Sequence, residues 1–328
     1  MTEVAVASRD NTVVGMIGIG DMGAALAVAL MRSYSLVVFD LRAEAVQRMV
    51  ALGARAADSV EALSEQCEVV ILVVVDDKQV NQVVGDLLRH PGKIHTIIVS
   101  STVLPTTVIA LAEQARAAGV DLIDAPVTGG ADKASRGIIT VLIGGTEGAV
   151  QRCRPIFQAL GKSLFHIGPV GAGSAGKLVN NLLSLGGNML IQEGMQLARA
   201  YGISEDAVTE FVATGTGDSR SIHTWGTRDR IRRSHHLAGT DGIYEIFSKD
   251  VKTAALAAGL RGVTLPIAAT IGATMIEQAK ARDKYLLDNG LTAPIPRCTI
   301  CGQELAYPFR KAGVHPECAF DTPGESLR

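Results

Sequence analysis

Three sets of residues in this chain have types and spacings that could do chemistry. Gly18, Gly20 and Gly23 form a G-x-G-x-x-G turn, with Asp21 and Met22 between the last two glycines. Set between a strand and a helix, such a turn brings backbone N–H groups up to a pyrophosphate. The first glycine permits the tight turn, the second clears the ligand's path, and the third lets helix and strand pack closely. The amino terminus of the helix adds its free N–H groups and dipole. Asp40 follows at the distance from which a carboxylate accepts hydrogen bonds from the ribose hydroxyls of NAD and repels the 2′-phosphate of NADP. Arg42, two residues on, carries the charge to meet that phosphate, so NADP stays possible. The second set is Lys177 and Asn181, four residues apart and therefore on one helical face, which Ser184 and Asn188 extend. The third is Cys298-x-x-Cys301-Gly302 followed by His315-x-x-Cys318, a Cys₃His donor set in two close pairs with zinc-type spacing. A structural zinc, reduced thiols in a loop and a redox dithiol are the three readings of that set. With all four donors from protein, no coordination position is left open for catalysis.

These residues need elements to hold them. Runs rich in β-branched residues at 13–19, 36–39, 69–75, 97–99, 122–124, 140–143 and 164–167 alternate with alanine-rich helical stretches, the pattern of βαβ units. Several runs are continuously apolar, as when helices cover both faces of a sheet. The glycine turn directly follows the first run and opens a helical segment at 24–31, the context its fingerprint requires. From 171 to 290 the strand signal nearly vanishes, and beyond it Pro294 and Pro296 stop helix continuation. The expected fold is an α/β Rossmann domain with a parallel-type sheet (12–170), an all-α substrate and oligomerisation domain (171–290), and a short C-terminal zinc-binding-like tail (291–328).

Composition excludes several classes. Lys and Arg number 31 against 33 Asp and Glu, a net charge of −2, which leaves no electrostatic footprint for nucleic acid or an anionic membrane surface. Aromatic residues, at 4%, offer few platforms for stacking bases. Uninterrupted apolar runs such as 69–75 fall far short of the roughly 18 residues needed to cross a bilayer. Glu3, Arg9 and Asp10 interrupt the amino terminus where an export signal would be apolar. The expectation is a cytoplasmic protein with reduced cysteines and no nucleic-acid or membrane partner.

Four further stretches carry a resemblance. They are Asp124-Ala125-Pro126-Val127-Thr128-Gly129-Gly130, Gly171-Ala172-Gly173-Ser174-Ala175-Gly176-Lys177-Leu178-Val179-Asn180-Asn181, Ser248-Lys249-Asp250, and Ser101-Thr102 ahead of Pro105. Together with the glycine turn they resemble the β-hydroxyacid dehydrogenase family, which includes 3-hydroxyisobutyrate dehydrogenase, tartronate semialdehyde reductase and, more distantly, 6-phosphogluconate dehydrogenase. The resemblance runs from about 13 to 288, nearly everything except the tail. In the family the substrate loop ends Ser-Gly-Gly; Thr128 keeps the hydroxyl. The resemblance implies that Lys177 and Asn181 are catalytic and that Thr128, Gly129 and Gly130 bind substrate. It also implies that Thr102 and Lys249 join Gly18, Gly20, Asp21, Met22, Gly23, Asp40 and Arg42 at the cofactor. A homodimer or homotetramer is implied as well, because in the family the helices of the second domain interlock.

Elementary chemistry agrees. A loop with one hydroxyl and two glycines exposes N–H and O–H groups suited to a carboxylate. As hydride leaves a carbinol carbon for nicotinamide C4, a neutral amine at Lys177 can take the hydroxyl proton. A free lysine titrates near ~10.4, so base work near neutrality needs a downward shift of roughly 2–3 units, from burial or a neighbouring cation such as Lys249. The other reading of Lys249 and Asp250 is a surface ion pair. His235 and His236 fit a solvated turn, Asp76 and Asp77 a loop or the cofactor cleft, Gly217-Asp218-Ser219 a loop near the substrate, and Trp225 packing or an interface. The expected activity is NAD-dependent, reversible oxidation of a small carboxylate-bearing 3-hydroxy acid to its semialdehyde or keto acid. The alternatives are an imine reductase-like enzyme, which Lys177 argues against, and a nicotinamide-binding partner protein that docks through its zinc tail.

Overall fold

The computed structural model describes residues 12–237 and 243–291. The chain forms two compact units that part between Lys177 and Leu178. The first runs β1 (Val13–Ile17), α1 (Asp21–Leu30), β2 (Ser35–Phe39), α2 (Ala43–Ala51), β3 (Arg55–Ala56), α3 (Val60–Ser64), β4 (Val69–Leu72) and α4 (Asp77–Arg89). It continues β5 (Thr96–Val99), α5 (Pro105–Ala117), β6 (Asp121–Asp124), β7 (Val127–Thr128), α6 (Ala131–Ser135), β8 (Thr140–Gly144), α7 (Glu147–Leu160) and β9 (Ser163–Gly168).

The strands lie in the order β3-β2-β1-β4-β5-β6-β8-β7, with β9 paired to β8. From β3 to β6 every pairing is parallel. Successive side chains of a strand point to opposite faces, and each face has its own core. Val14, Met16, Leu36, Val38, Val69, Ile71 and Ile98 pack on one side, while Ile17, Val37, Val70, Leu72, Ile97 and Val99 pack on the other. That two-sided burial is why the strands read as unbroken apolar runs.

The sheet corrects one expectation. It is mixed, because β8 pairs antiparallel with both β6 and β7 before β9 returns parallel to it. Apolar runs report burial and say nothing of strand direction. The two-residue strands β3 and β7 are too short to show a period. The run at 69–75 leaves the sheet after Leu72: Val75 is exposed, and the Val74 N–H donates to Ser101 Oγ at 2.8 Å.

Among its described residues the second unit contains helices and no strand. Helix α8 (Ala172–Ala200) enters it, followed by α9 (Glu205–Val212), α10 (Arg220–His223), α11 (Thr227–Leu237), α12 (Ile243–Gly259) and α13 (Pro266–Asp288). Leu185, Met189, Val251, Ala268, Ile271 and Met275 form its main core. Beside a smaller cluster of Met195, Val208 and Ile222 lies a charged network. Arg282 Nη2 donates to Glu205 Oε2 at 2.8 Å and to Asp229 Oδ2 at 3.1 Å. Arg232 bridges Asp229 and Asp283, each at 2.7 Å. Trp225 Nε1–H also donates to Glu205, at 2.7 Å. Among the described residues no helix is long and apolar enough to cross a membrane.

Candidate active site

The glycine turn is built as its spacing requires. Gly18 has φ +92°, and a Cβ there would stand 2.5 Å from the Val73 carbonyl oxygen. A Cβ on Gly23 would fall on the Gly18 carbonyl oxygen. Gly20 differs, since a Cβ there would meet nothing nearer than Arg42 Nη2 at 3.9 Å. Gly20 is also the N-cap of α1, and no side chain caps that end. An uncapped helix start behind a glycine that the protein itself does not crowd is a cradle of the right chemistry for a pyrophosphate. The residues present therefore fit a dinucleotide.

At the end of β2, Asp40 Oδ2 accepts the Ile19 N–H at 2.6 Å, and Oδ1 accepts Arg42 N–H and Nε–H at 2.9 and 3.1 Å. Burial pushes the Asp40 carboxyl up, but the Arg42 guanidinium and the Arg42 and Ile19 amides more than offset this and hold it below its ordinary value. Asp40 is thus ionised, as a ribose acceptor must be, with Arg42 already beside it.

The loop after β5 is tied in place from two sides. Ser101 Oγ accepts from Val74, while Asp77 Oδ1 accepts the Leu104 N–H at 2.9 Å and the Thr107 hydroxyl at 2.6 Å. Thr102 sits half-buried on that loop. Asp76 caps α4 by accepting the Gln79 N–H, so both aspartates shape the loops at the strand ends.

The segment from β6 to α6 approaches the start of α8. Thr128 ends β7, and Gly129 and Gly130 follow with φ +136° and +86°, values open to glycine. One residue before Thr128, the Val127 carbonyl accepts the Lys177 Nζ–H at 2.8 Å. Asp124 accepts the Gly171 N–H on Oδ1 at 2.8 Å and the Ser174 N–H on Oδ2 at 2.6 Å. Burial pushes the Asp124 carboxyl up from its ordinary value, and these two amides pull it back only in part. The sequence shows Asp124 as part of a motif without assigning it a task. A carboxylate ending an apolar strand is the available signal, because a buried charge requires partners.

Within the helical unit, Asn181 Nδ2 donates to Asp250 Oδ2 at 2.7 Å, and both residues are buried. Lys249 Nζ stands 3.2 Å from Asp250 Oδ1. Lys249 and Asp250 are therefore an ion pair whose carboxylate is buried and bonded to Asn181, a different arrangement from a surface pair. Since a carboxylate accepts only, it fixes which end of the Asn181 amide faces it. Ser184 Oγ is held by Arg228 at 2.9 Å, Asp218 pairs with His223 at 2.7 Å, and Trp225 packs under Arg282. Cys298, Cys301, His315 and Cys318 lie outside the described residues. Among the described residues no cluster of three or more His, Cys, Asp or Glu could hold a metal ion.

Comparison with known proteins agrees with this architecture. Residues 13–168 match the NAD binding domain of 6-phosphogluconate dehydrogenase, and residues 171–295 match the NAD-binding family of NADP-dependent 3-hydroxyisobutyrate dehydrogenase. An NAD-dependent L-serine dehydrogenase of Pseudomonas aeruginosa is 31% identical over 77% of this chain and 88% of its own length. A 2-(hydroxymethyl)glutarate dehydrogenase of Eubacterium barkeri is 30% identical over 80% of this chain and 87% of its own. The crystal structure of a 3-hydroxyisobutyrate dehydrogenase from Salmonella typhimurium superposes with a TM-score of 0.70 at 30% identity, covering 83% of this chain and 95% of that one. With family models matching residues 13–168 and 171–295 and relatives matched over most of their length, the chain belongs to the β-hydroxyacid dehydrogenase family and is an NAD(P)-dependent oxidoreductase.

Proposed function

We propose that this enzyme reversibly oxidises a small 3-hydroxy acid to its semialdehyde or keto acid, with Lys177 as proton shuttle. The observation that carries the reading is the Lys177 bond to the Val127 carbonyl, immediately beside the Thr128-Gly129-Gly130 turn. The Thr128 hydroxyl and the two glycine N–H groups take the substrate carboxylate. Bound dinucleotide supplies the hydride acceptor; Gly18, Gly20, Asp21, Met22, Gly23, Asp40, Arg42 and Thr102 would hold it. Lys177, whose Nζ–H donates to the Val127 carbonyl, acts as a neutral amine that takes the hydroxyl proton. Asn181, one turn further along α8, orients the reacting oxygen through an amide that Asp250 keeps from flipping. A panel of 3-hydroxy acids assayed for NAD⁺ reduction at 340 nm tests the reading. No turnover on any of them, with dinucleotide binding intact, would favour a binding protein instead.

NAD is the expected cofactor, because the ionised Asp40 accepts ribose hydroxyls and repels a 2′-phosphate. Asp40→Ala is expected to lower the NAD-to-NADP ratio of kcat/KM by about tenfold or more, leaving Arg42 unopposed. A wild-type enzyme that already favours NADP would show that Arg42 governs the choice.

The tail is read as a structural zinc site of Cys298, Cys301, His315 and Cys318, since each sequence-local pair brings half a tetrahedral shell at little loop-closure cost. Purified enzyme should carry about one zinc per chain, and chelation should spare turnover, because the hydride transfer proposed needs no metal. Substoichiometric metal after growth in zinc-replete medium would remove the site. Immediate loss of turnover on chelation, without dissociation, would point to a catalytic ion. Self-association is also expected: Leu183, Leu190 and Leu197 are exposed at seven-residue intervals along α8, an apolar stripe of the kind that partner helices cover.

A further inference from the structure

Asp124 takes no part in the chemistry just described, yet among the described residues it is the most fully enclosed carboxylate. It is 0% exposed, and the backbone around it leaves no slack. A Cβ on Gly144 would fall on Asp124 Oδ1, and a Cβ on Gly173 would stand 2.5 Å from the Asp124 carbonyl oxygen. Its two carboxylate oxygens reach across 47 and 50 residues of sequence to the N–H groups of Gly171 and Ser174. Gly171 directly precedes α8 and Ser174 lies in its first turn. Two bonds to amides three residues apart fix both the depth and the rotation of a helix end, where a single bond would leave rotation free. Lys177 follows Ser174 by three residues, one helical turn. Its amine returns to the carbonyl of Val127, three residues after Asp124. The segment 124–127 and the first two turns of α8 are therefore stitched at both ends.

We propose that Asp124 is a positioning residue for Lys177: by capping the start of α8 it sets where the lysine amine stands relative to the Thr128-Gly129-Gly130 turn. The proposal rests on the reading of Lys177 as proton shuttle. A displacement of about 1 Å in a reacting group can cost about 100-fold in rate, so loss of the cap should be felt in turnover before it is felt in binding. Asp124→Asn is the informative change. It keeps the shape that the cradle accepts but sets an amide N–H against a backbone N–H in place of one acceptor oxygen.

The test measures kcat and KM for the hydroxy acid, with dinucleotide Kd from fluorescence, for the wild type, Asp124→Asn and Lys177→Ala. Asp124→Asn is expected to lose about 10–100-fold in kcat, with KM and dinucleotide Kd each within about twofold of the wild type. Unchanged kcat in Asp124→Asn beside an inert Lys177→Ala would overturn the positioning role and leave the lysine mechanism standing. Near-normal turnover in Lys177→Ala would overturn the lysine mechanism, and the positioning role with it. Parallel loss of kcat and dinucleotide affinity in Asp124→Asn would overturn the proposal in favour of general damage. If Asp124→Asn does not fold, hydrogen exchange on the wild type decides. Amides at 171–174 exchanging as slowly as those of β4 and β5 support the docked helix start, and exchange at the rate of an open turn overturns it.

Discussion

Lys177→Ala is expected to lower kcat by at least about 100-fold while dinucleotide affinity stays within about twofold, since on the proposed mechanism it removes proton transfer and touches no cofactor contact assigned above. Alanine also strips the Val127 carbonyl of its donor, and an unsatisfied buried acceptor costs about 1–3 kcal/mol. A thermal melt should therefore accompany the kinetics. Lys177→Arg separates the two effects. Arginine can donate to Val127 but is never neutral near pH 7, so it should restore stability without restoring turnover. Activity in Lys177→Arg close to that of the wild type would show that the residue acts only as a fixed cation.

The second large effect is on stability. Arg282→Met should destabilise the helical unit by about 3–5 kcal/mol, because removing one partner of a buried ion pair leaves the other uncompensated. Arg282 is only 4% exposed and serves both Glu205 and Asp229. On a chain of this size that corresponds to a fall in Tm of roughly 6–20 °C by calorimetry. Lys280→Met, two residues away on α13, is the control. Its partner Glu277 is 3.4 Å distant and both side chains are more than 60% exposed, so a change under about 0.5 kcal/mol is expected. The network also sets the acid limit. Burial pushes the Glu205 carboxyl up, but Arg282, Trp225 and Arg199 together hold it below its ordinary value. A depressed carboxylate contributes stability that is fully present above its unfolded value of about 4.3 and is lost as pH falls through the folded one. Wild-type Tm should accordingly drop on acidification below about pH 4.3, and Arg282→Met should drop less steeply. Equal slopes in the two proteins would show that Glu205 is not the group concerned.

That network was invisible in the sequence, where Glu205, Asp229 and Arg282 are unremarkable charges on separate helices, 24 to 77 residues apart. Long-range pairing of common residue types leaves no local signature. The sheet was legible for the opposite reason. Strands buried on both faces must be apolar at every position, so β1, β4 and β5 stand out as runs, whereas the direction of β8 depends on a connection that no run encodes. Helix α1 begins at Asp21, three residues before the apolar pattern does, because its first turn is given over to the dinucleotide motif. Of the candidate site, the glycine turn and the lysine helix were readable from motif and spacing, and the structure gives them the local geometry the motifs require. Asp124 lies inside a motif, but its partners are 47 and 50 residues away, and Asp250 is bonded by Asn181 across 69 residues, separations that leave no local sign in the sequence.

The three glycines of the first turn answer to different judges. Any missense change in a glycine codon adds at least a Cβ. At Gly18 and Gly23 that atom collides with the protein's own backbone, so selection for a folded chain alone is enough to keep them. At Gly20 the space is empty to 3.9 Å, so on the proposed cofactor assignment only a bound dinucleotide would object. A lineage that kept the fold but abandoned the cofactor would drift first at Gly20, with its two neighbours still in place. The middle glycine is therefore the position at which inheritance records whether the enzyme is still in use.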